Sequence, residues 1–439
     1  MTRYGSGYVR VRIEIHSPWA STMTERLYYS DSFLTDFNAR VTAVVERDGR
    51  VALVLDRTAF YPTSGGQVFD TGSLQVDGLE LSVCEVAEDE SSTILHYLEQ
   101  NAQVILEGAS VRGFVEPERR RDHMQQHSGQ HVLSAAFERL FNMRTVSFHM
   151  GDESCTIDLE TKSLNDDQIR AAERESNRIV TEDRPVSIKS ATIEQAKAMG
   201  VRKIPDHVEG ELRLIDVEGY DLNACGGTHV NSTGQIGPIL LRKYEKVKQG
   251  FRVEFVCGER AISTARKDFD TLTEAAGLYD TQIWQVPELI RKSIEDAKAA
   301  SKERKRLLEE VAELLAGRLL ANAAQEVSVT QEGVPTGAGF KLITRVFDDR
   351  DTAFIKLLAQ KITAVEPAVA LLGATQGQPG VVFAQSPGLR SDMGALMKEA
   401  LATLGGRGGG NRDLAQGGAT NAQAVGPVLE ILAAKLKES

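Results

Sequence analysis

Two short motifs, far apart in the chain, contain residue types that bind metal ions. The first is His127-Ser128-Gly129-Gln130-His131, and the second is Cys225-Gly226-Gly227-Thr228-His229. Each motif places two ligands four residues apart, and on a helix such residues lie one above the other on the same face. Three imidazoles and one thiolate form the ligand set of a tetrahedral zinc site. The pattern predicts one Zn²⁺ ion with four protein ligands, which are His127, His131, Cys225 and His229.

The histidine pair differs from the helix motif of a zinc metalloprotease. That motif requires a glutamate directly after the first histidine as general base, and Ser128 occupies this position. A phosphoesterase of the DHH type would need an Asp-His-His centre, and the only similar string is Arg121-Asp122-His123. His123 also extends the helical row by another four residues, which makes it a candidate substitute ligand.

The elements that would position these ligands belong to a mixed α+β region. Apolar residues recur with helical spacing from Pro117 to Leu140, so the first motif is predicted to lie on a helix. The second motif follows Asp221 in a glycine-containing turn. Strands are predicted at 145–149, 155–159 and within 212–256, with a further helix at 165–181.

The preceding region, residues 37–115, shows short alternating apolar runs broken by Asp48-Gly49 and Asp77-Gly78. Asp-Gly between such runs predicts hairpins, so this region is predicted to be an antiparallel β subdomain or a small barrel. Between two runs lies a loop, residues 60–67, that contains Gly65 and Gly66. Paired glycines permit unusual backbone angles and the close approach of a ligand.

The C-terminal part has a different composition. Residues 287–324 are rich in Glu, Lys, Arg, Leu and Ala and predict one long helix or a helical hairpin, with heptad-like spacing of Leu308, Val311 and Leu315. Residues 333–339 are predicted to be a linker, and residues 368–372 and 381–384 to be buried strands. The dense glycine run at 405–418 is expected to lie outside regular structure, as a functional or hinge loop.

Composition limits the function classes. The chain has 439 residues, enough for two to four domains, and a formal net charge of −11 argues against indiscriminate coating of nucleic acid. No apolar run approaches the roughly 20 residues that cross a bilayer. The alternating residues 9–15 do not form a signal peptide. Four scattered cysteines argue against a disulfide scaffold, so a reducing cytoplasm is predicted.

The two ligand motifs and the glycine loop resemble the editing domain of alanyl-tRNA synthetase and its freestanding relatives, the AlaX trans-editing proteins. In that family a His-x-x-x-His helix, a distant Cys-x-x-x-His turn and a glycine-rich loop face one pocket. The run at 405–418 resembles the C-terminal domain shared by alanyl-tRNA synthetases and DHHA1-type phosphoesterases. The resemblance covers residues 23–439 and is that of the long AlaX form without the aminoacylation module.

The resemblance implies an α+β fold with five segments. These are an N-terminal extension (1–22), a β-rich subdomain or barrel with the glycine loop (23–115), a zinc-binding editing domain (116–270), a helical or coiled-coil arm (271–326) and a C-terminal α/β DHHA1-like domain (327–439). Family members tend to start at a string like the one that begins here at Met23. Residues 1–22 are therefore interpreted as an extension or a misplaced start.

The resemblance also implies the activity, which is deacylation of tRNA(Ala) mischarged with serine or glycine. The implied substrate-binding residues are Thr63, Ser64, Gly65, Gly66, Gln67 and Ser147. The implied tRNA-binding residues are Arg407, Gly408, Gly409, Gly410 and Arg412, and the C-terminal domain can mediate a homodimer. A metal with four protein ligands is coordinatively closed, so positioning of the tRNA end is favoured over a zinc-bound nucleophile.

The sequence leaves two features of the site and two alternative functions open. The sequence identifies no general base, and it does not decide between serine and glycine. A binding module with a structural zinc but no hydrolysis is the alternative from another class of function. Editing of Ser-tRNA(Thr) is the alternative enzyme activity, because that editing domain shares the ligand spacing.

Overall fold

The structure is a computed structural model that describes residues 23–47, 49–76, 78–99, 105–202, 204, 210–323, 325–326 and 339–438. The chain divides into two compact units, Met1–Glu274 and Ala275–Ser439. The predicted N-terminal extension and residues 333–338 of the predicted linker lie outside the described residues. The division into five segments stays a prediction.

The first unit begins with a closed antiparallel barrel, as the alternating pattern predicted. Its strands and two short accessory strands are β1 (Glu25–Arg26), β2 (Asp36–Arg47), β3 (Arg50–Leu55), β4 (Arg57–Thr58), β5 (Gly72–Val76), β6 (Leu79–Glu88), β7 (Ile94–Leu98) and β8 (Ser110–Val115). Six of them close in the order β2-β3-β7-β6-β5-β8, and β1 pairs with β4. Gly49 and Gly78 adopt φ of 74° and 81° in the two tight hairpins, which glycine does without strain.

The rest of the first unit is the mixed α+β region. Its elements are α1 (Pro117–Phe141), β9 (Arg144–Met150), β10 (Cys155–Glu160), α2 (Asp166–Thr181), β11 (Val186–Ala191), α3 (Ile193–Ala198), β12 (Leu212–Val217), β13 (Asp221–Ala224), β14 (Ile239–Val247), β15 (Gly250–Cys257) and α4 (Gly258–Leu278). They form a four-stranded sheet, β14-β15-β10-β9, and a three-stranded sheet, β11-β12-β13. The bounds of α1, β9, β10 and α2 agree closely with the prediction, whereas β11, α3 and α4 were not predicted.

Helix α1 is buried on all sides over its central turns. Every residue from Gln126 to Phe137 is buried, although a single apolar stripe was expected from the spacing. A Cβ at Gly129 would lie 2.2 Å from the Cys257 sulfur, so glycine lets the helix pack directly against the end of β15. The polar residues of the first motif are therefore held inside the protein and need internal partners.

A buried ion pair fixes this helix to the barrel. Both Arg120 of α1 and Asp70 of the barrel are almost fully buried, and Arg120 Nη2 lies 2.5 Å from Asp70 Oδ2. Arg120 also donates to the backbone oxygens of Ser32 and Ala59. Burial alone would raise the pKa of the Asp70 carboxyl, but the charge of Arg120 and its hydrogen bonds lower that pKa below its usual value.

The second unit is a six-stranded sheet with helices on both faces. Its elements are α5 (Val286–Asn322), β16 (Gln325–Glu326), β17 (Phe340–Phe347), α6 (Thr352–Val365), β18 (Ala368–Ala374), β19 (Gly380–Gln385), α7 (Met393–Leu404), β20 (Gly408–Gly410), β21 (Leu414–Gly418) and α8 (Val425–Glu438). The strand order is β16-β17-β18-β19-β21-β20, with a parallel pair at β17-β18. Alternate residues of β18 pack against α5 and α6 on one face and against α7 and α8 on the other.

One C-terminal expectation needs correction and another stays a prediction. Helix α5 is continuous, and its buried row is Ala312, Ala316 and Leu320. Leu308 and Val311 are exposed, so the coiled-coil arm stays a prediction. The glycine run does not lie outside regular structure, because β20 pairs with β21. A Cβ at Gly408 would lie 2.4 Å from the Gln416 oxygen, so the missing side chains permit this close strand pairing.

The fold class is thus confirmed as α+β with an N-terminal six-stranded barrel. The DHHA1-like assignment of the second unit stays a prediction. Among the helices of the described residues, none combines the length and the apolar character needed to cross a bilayer.

Removing the buried carboxylate tests the importance of the Arg120–Asp70 pair. We expect Asp70→Ala to destabilise the first unit by about 3–5 kcal/mol, because it leaves a buried guanidinium without its counter-charge. Hydrogen exchange of the α1 amides measures this free energy. Since the pKa of Asp70 is lowered in the folded state, the pair stabilises the fold above the unfolded pKa of about 3.9 and loses its effect as the pH falls through the folded pKa.

The matched control is Asp36→Ala, which removes an exposed ion pair with Arg112 on the barrel surface. We expect the α1 amides of this variant to exchange hydrogen at the wild-type rate. Equal protection of the α1 amides in both variants would contradict the role assigned to Asp70.

Candidate metal centre

The four predicted ligands converge in the first unit. The ligand atoms of His127, His131, Cys225 and His229 all lie within 4.8 Å of one another. Cys225 Sγ lies 3.4 Å from His127 Nε2 and 3.3 Å from His229 Nε2. Tetrahedral zinc with Zn–N of about 2.0 Å and Zn–S of about 2.3 Å places neighbouring donors about 3.3–3.6 Å apart. The cluster therefore has the donor types of such a site, and its two sulfur–nitrogen distances match this spacing.

The outer nitrogen of each imidazole faces a different protein group. His127 Nδ1 lies 2.7 Å from Gln67 Oε1, and His229 Nδ1 lies 3.1 Å from Ser128 Oγ. His131 Nδ1 lies 3.5 Å from Asp221 Oδ2, a contact that is mainly electrostatic at this length. Nε2 is thus the ring nitrogen left for the cluster in all three histidines. Groups that hold the outer nitrogen of a metal ligand fix its tautomer and orientation.

Gln67 makes the most extensive of these contacts and is fully buried. Its Oε1 also accepts from the backbone N–H of Thr228 (3.1 Å), and its Nε2 donates to Thr228 Oγ1 (2.9 Å). One side chain from the barrel loop therefore joins the His127 ring to the turn that carries Cys225 and His229. It lies behind the ligand His127 and does not line the open cavity.

The charges of the cluster suit metal binding. Burial alone would raise the pKa of the Cys225 thiol, but the imidazoles of His127 and His229 lower it well below its usual value. Burial lowers the pKa of His229 to about 3, so this ring is neutral near neutral pH. His131 is also desolvated, but Asp221 and Cys225 outweigh this and raise its pKa to about 9. The metal-free site thus holds a thiolate beside a protonated His131.

The glycines of the second motif are explained by the packing of its turn. A Cβ at Gly227 would lie 2.1 Å from His127 Cε1, so no other residue fits without moving the ring. A Cβ at Gly226 would make ordinary contacts with the Tyr29 side chain, whose hydroxyl is nearest at 3.4 Å. Arg213 holds the turn by donating from Nη1 to the backbone oxygens of Cys225 (2.7 Å) and Gly227 (3.0 Å).

The cluster opens on a cavity of about 430 Å³, a volume in the usual range for small-molecule sites. His127, His131 and Cys225 form part of its wall, and the Phe148 ring stacks on the His127 ring with centroids 5.5 Å apart. The remaining lining includes the polar side chains of Ser64, Gln130, Thr145, Ser147 and Asn223, together with Gly65. Such a wall offers both donors and acceptors to a bound molecule.

Only some of the predicted substrate-binding residues line the cavity. Ser64, Gly65 and Ser147 line the cavity, whereas Thr63 is exposed outside its lining. Gly65 and Gly66, with φ of 59° and 89°, form a tight turn closed by backbone hydrogen bonds between Ser64 and Gln67. Gly66 also accepts from the Met150 N–H (3.0 Å), which attaches the turn to β9.

Several residues of the site were not predicted from the sequence. Gln130 and Thr145 line the cavity, and Arg202 binds Asp221 with two hydrogen bonds of 2.9 and 3.2 Å. Gln130 and Ser128 lie within the first motif, and Asn223 precedes the second by two residues. For Gln130, Ser128 and Asn223, their position in the sequence close to a predicted ligand was the one signal that could have identified them.

The predicted tRNA-binding residues all lie in the second unit. Gly408–Gly410 form the exposed edge strand β20. Arg407 and Arg412 flank it and are exposed. The Arg412 guanidinium donates to the backbone oxygen of Arg390 (3.2 Å).

Comparison with known proteins places these observations in a family. Residues 14–119 match the family described as tRNA synthetases class II (A), and residues 212–253 match the threonyl and alanyl tRNA synthetase second additional domain. The second match contains Cys225 and His229. An alanyl-tRNA editing protein AlaX-L from Pyrococcus horikoshii is 32% identical over 397 residues, which cover 90% of this chain and 94% of that protein. The chain belongs to the AlaX-L family of alanyl-tRNA editing proteins.

Other relatives of this AlaX-L family member are complete synthetases. An alanine–tRNA ligase from Pyrococcus abyssi is 33% identical over 408 residues, which cover 90% of this chain but 42% of the ligase. The chain thus spans about two fifths of the length of that enzyme. A crystal structure of the C-Ala domain from Aquifex aeolicus alanyl-tRNA synthetase is 24% identical and covers 22% of this chain and 92% of that chain. Its TM-score of 0.21 is too low to assign a fold to the second unit.

The two glycines of the turn provide a matched pair of variants. We expect Gly227→Ala to lower the affinity for Zn²⁺ by at least about 10-fold, because the new methyl group displaces His127. Gly226→Ala should bind Zn²⁺ with the wild-type affinity, because its methyl group makes an ordinary van der Waals contact with Tyr29. Competition with a chromogenic chelator measures both affinities. Equal affinities in the two variants would contradict the assigned geometry.

The raised pKa of His131 predicts proton release on metal binding. At pH 7.5 the metal-free protein carries a proton on His131, whereas a metal ligand must be a neutral imidazole. We expect Zn²⁺ to displace more protons at pH 7.5 than at pH 10, so the affinity should rise as the pH approaches 9. Calorimetric titration in buffers of different ionisation enthalpy counts these protons. A count that does not change between the two pH values would contradict the charge assignment.

Proposed function

We propose that the protein removes a wrongly attached amino acid, serine or glycine, from tRNA(Ala) by hydrolysing the ester in the cavity beside the metal cluster. As a member of the AlaX-L family, it is an aminoacyl-tRNA deacylase. The observation that carries the proposal is the His127–His131–Cys225–His229 cluster, three of whose residues form part of the wall of a cavity with polar side chains. Such a cavity accepts a small polar aminoacyl group and brings its ester next to the ligands.

Zn²⁺ is the proposed metal, because the cluster combines three imidazoles with a thiolate at tetrahedral spacing. When bound, the ion supplies a fixed positive charge that orients the end of the tRNA and attracts the ester oxygens. With four protein ligands its coordination is full, which favours this positioning role over supply of a nucleophile. Gln67, Ser128 and Asp221 hold the three rings in place from outside the cluster.

The lining of the cavity supports selectivity for serine over alanine. Ser64, Thr145 and Ser147 present hydroxyl groups, and Gln130 presents an amide. A serine hydroxyl can form a hydrogen bond with these groups, whereas an alanine side chain cannot. A site built to bind a hydroxyl can reject the analogue that lacks it by roughly 10⁴-fold. Glycine has no side-chain hydroxyl, so hydrolysis of a glycyl ester would depend on the small size of glycine.

The second unit is proposed to bind the body of the tRNA. Its supporting feature is the exposed edge strand β20, with two exposed arginines, Arg407 and Arg412, beside it. Arginine and backbone N–H groups are common partners of phosphate oxygens. A homodimer through this unit remains the accompanying proposal.

The direct test is release of serine from Ser-tRNA(Ala). We expect the wild-type protein with Zn²⁺ to release serine and to leave Ala-tRNA(Ala) intact. Cys225→Ala should lower the rate by about 100-fold, because it removes one metal ligand and the only thiolate of the site. The matched control is Cys84→Ala, which replaces a half-buried cysteine of the barrel strand β6. This variant should keep full activity.

The outcomes separate the proposal from its alternatives. Tight binding of Ser-tRNA(Ala) without release would contradict hydrolysis and support a binding module. Faster release from Ser-tRNA(Thr) than from Ser-tRNA(Ala) would assign the activity to the threonine system, whose editing domain shares the family that matches residues 212–253.

A further inference from the structure

Asn223 is a buried polar side chain of the cavity wall with a hydrogen-bonding atom that has no partner. It lies on β13, is only 9% exposed and lines the cavity beside the cluster. Its Oδ1 is buried and has no hydrogen-bond partner within the described part of the chain. Burying an amide oxygen without a donor is unfavourable, so such an atom in a cavity wall indicates a group that a ligand satisfies.

The position of Asn223 follows from the strand. Successive side chains of a strand point to opposite faces, so Asp221, Asn223 and Cys225 share one face. Asp221 faces His131, and Cys225 belongs to the cluster. Asn223 therefore lies between a group that orients a metal ligand and a metal ligand itself.

The neighbouring polar groups already have partners. Both carboxylate oxygens of Asp221 accept hydrogen bonds from Arg202, and Gln130 donates from Nε2 to Ser134 Oγ (2.8 Å). Asn223 differs from these two neighbours because its acceptor oxygen is both buried and without a partner.

The substrate must supply a donor for this oxygen. The carbonyl and ester oxygens of an aminoacyl ester accept hydrogen bonds and cannot satisfy Oδ1. The α-ammonium group donates three, carries a charge and is attached to the carbon next to the ester carbonyl. We propose that Asn223 Oδ1 binds the α-ammonium group of the aminoacyl ester, an inference that rests on the proposed deacylase function.

This contact would orient every aminoacyl ester in the same way, because all amino acids carry the α-ammonium group. Asn223 would therefore raise the efficiency of hydrolysis, while the hydroxyl-bearing residues of the wall distinguish serine from alanine. The role requires an acceptor and not a donor, so aspartate can replace asparagine at this position and leucine cannot.

The test compares two variants on two substrates. Ser-tRNA(Ala) carries the ammonium group, and N-acetyl-Ser-tRNA(Ala) lacks it. We expect the wild-type protein to prefer the first substrate in kcat/KM by about 10- to 100-fold, the worth of one charge-assisted hydrogen bond to a buried group. Asn223→Leu should lose this preference by slowing only the first reaction, and Asn223→Asp should keep it. Zinc content and the thermal midpoint should stay at the wild-type values in both variants.

Other results would overturn the inference. An equal loss on both substrates in Asn223→Leu would assign Asn223 a structural role. A loss of the preference for Ser-tRNA(Ala) over Ala-tRNA(Ala), with the ammonium preference intact, would assign it to the serine hydroxyl. Loss of the ammonium preference in Asn223→Asp would show that the amide acts as a donor. Absence of serine release by the wild-type protein would contradict the proposed function itself, and with it the substrate of this inference.

Discussion

The close approach of the Cys225–His229 turn to helix α1 is the constraint on which the site depends. The turn carries two ligands and the helix carries the other two, so neither segment forms the cluster alone. The approach leaves no room for a side chain at Gly227, whose backbone lies against the His127 ring. Gln67 bridges both segments through hydrogen bonds to His127 and Thr228. The geometry is therefore fixed before a metal binds, which lowers the cost of ordering the ligands.

The barrel contributes to this arrangement although it supplies no ligand. It delivers Gln67 on a tight glycine turn, and the buried Arg120–Asp70 pair fixes its position relative to α1. The same turn bonds to β9, whose residues line the cavity. A displaced barrel would therefore change both the metal ligand His127 and the shape of the substrate site. This dependence gives a physical reason for the barrel and helix α1 to belong to one compact unit.

The sequence predicted the parts of the site that have a strong local pattern. The four ligands came from two spaced motifs, the barrel from Asp-Gly turns between alternating runs, and α1 from its apolar spacing. It did not reveal Asn223, Asp221 or Arg202, because a polar residue on a strand looks the same whether it faces solvent or a cavity. Gln67 was expected at the substrate, but only the three-dimensional packing places it behind His127. The glycine run was misjudged because strand pairing of glycines depends on a partner strand, which local composition does not show.

The central claim is that one Zn²⁺ ion is held by three imidazoles and one thiolate in a preformed site. X-ray absorption at the zinc edge of the purified full-length protein tests it most directly. The account predicts one sulfur at about 2.3 Å and three nitrogens at about 2.0 Å around a single equivalent of zinc. A shell without sulfur, or a protein that binds no zinc when the ion is supplied, would contradict it.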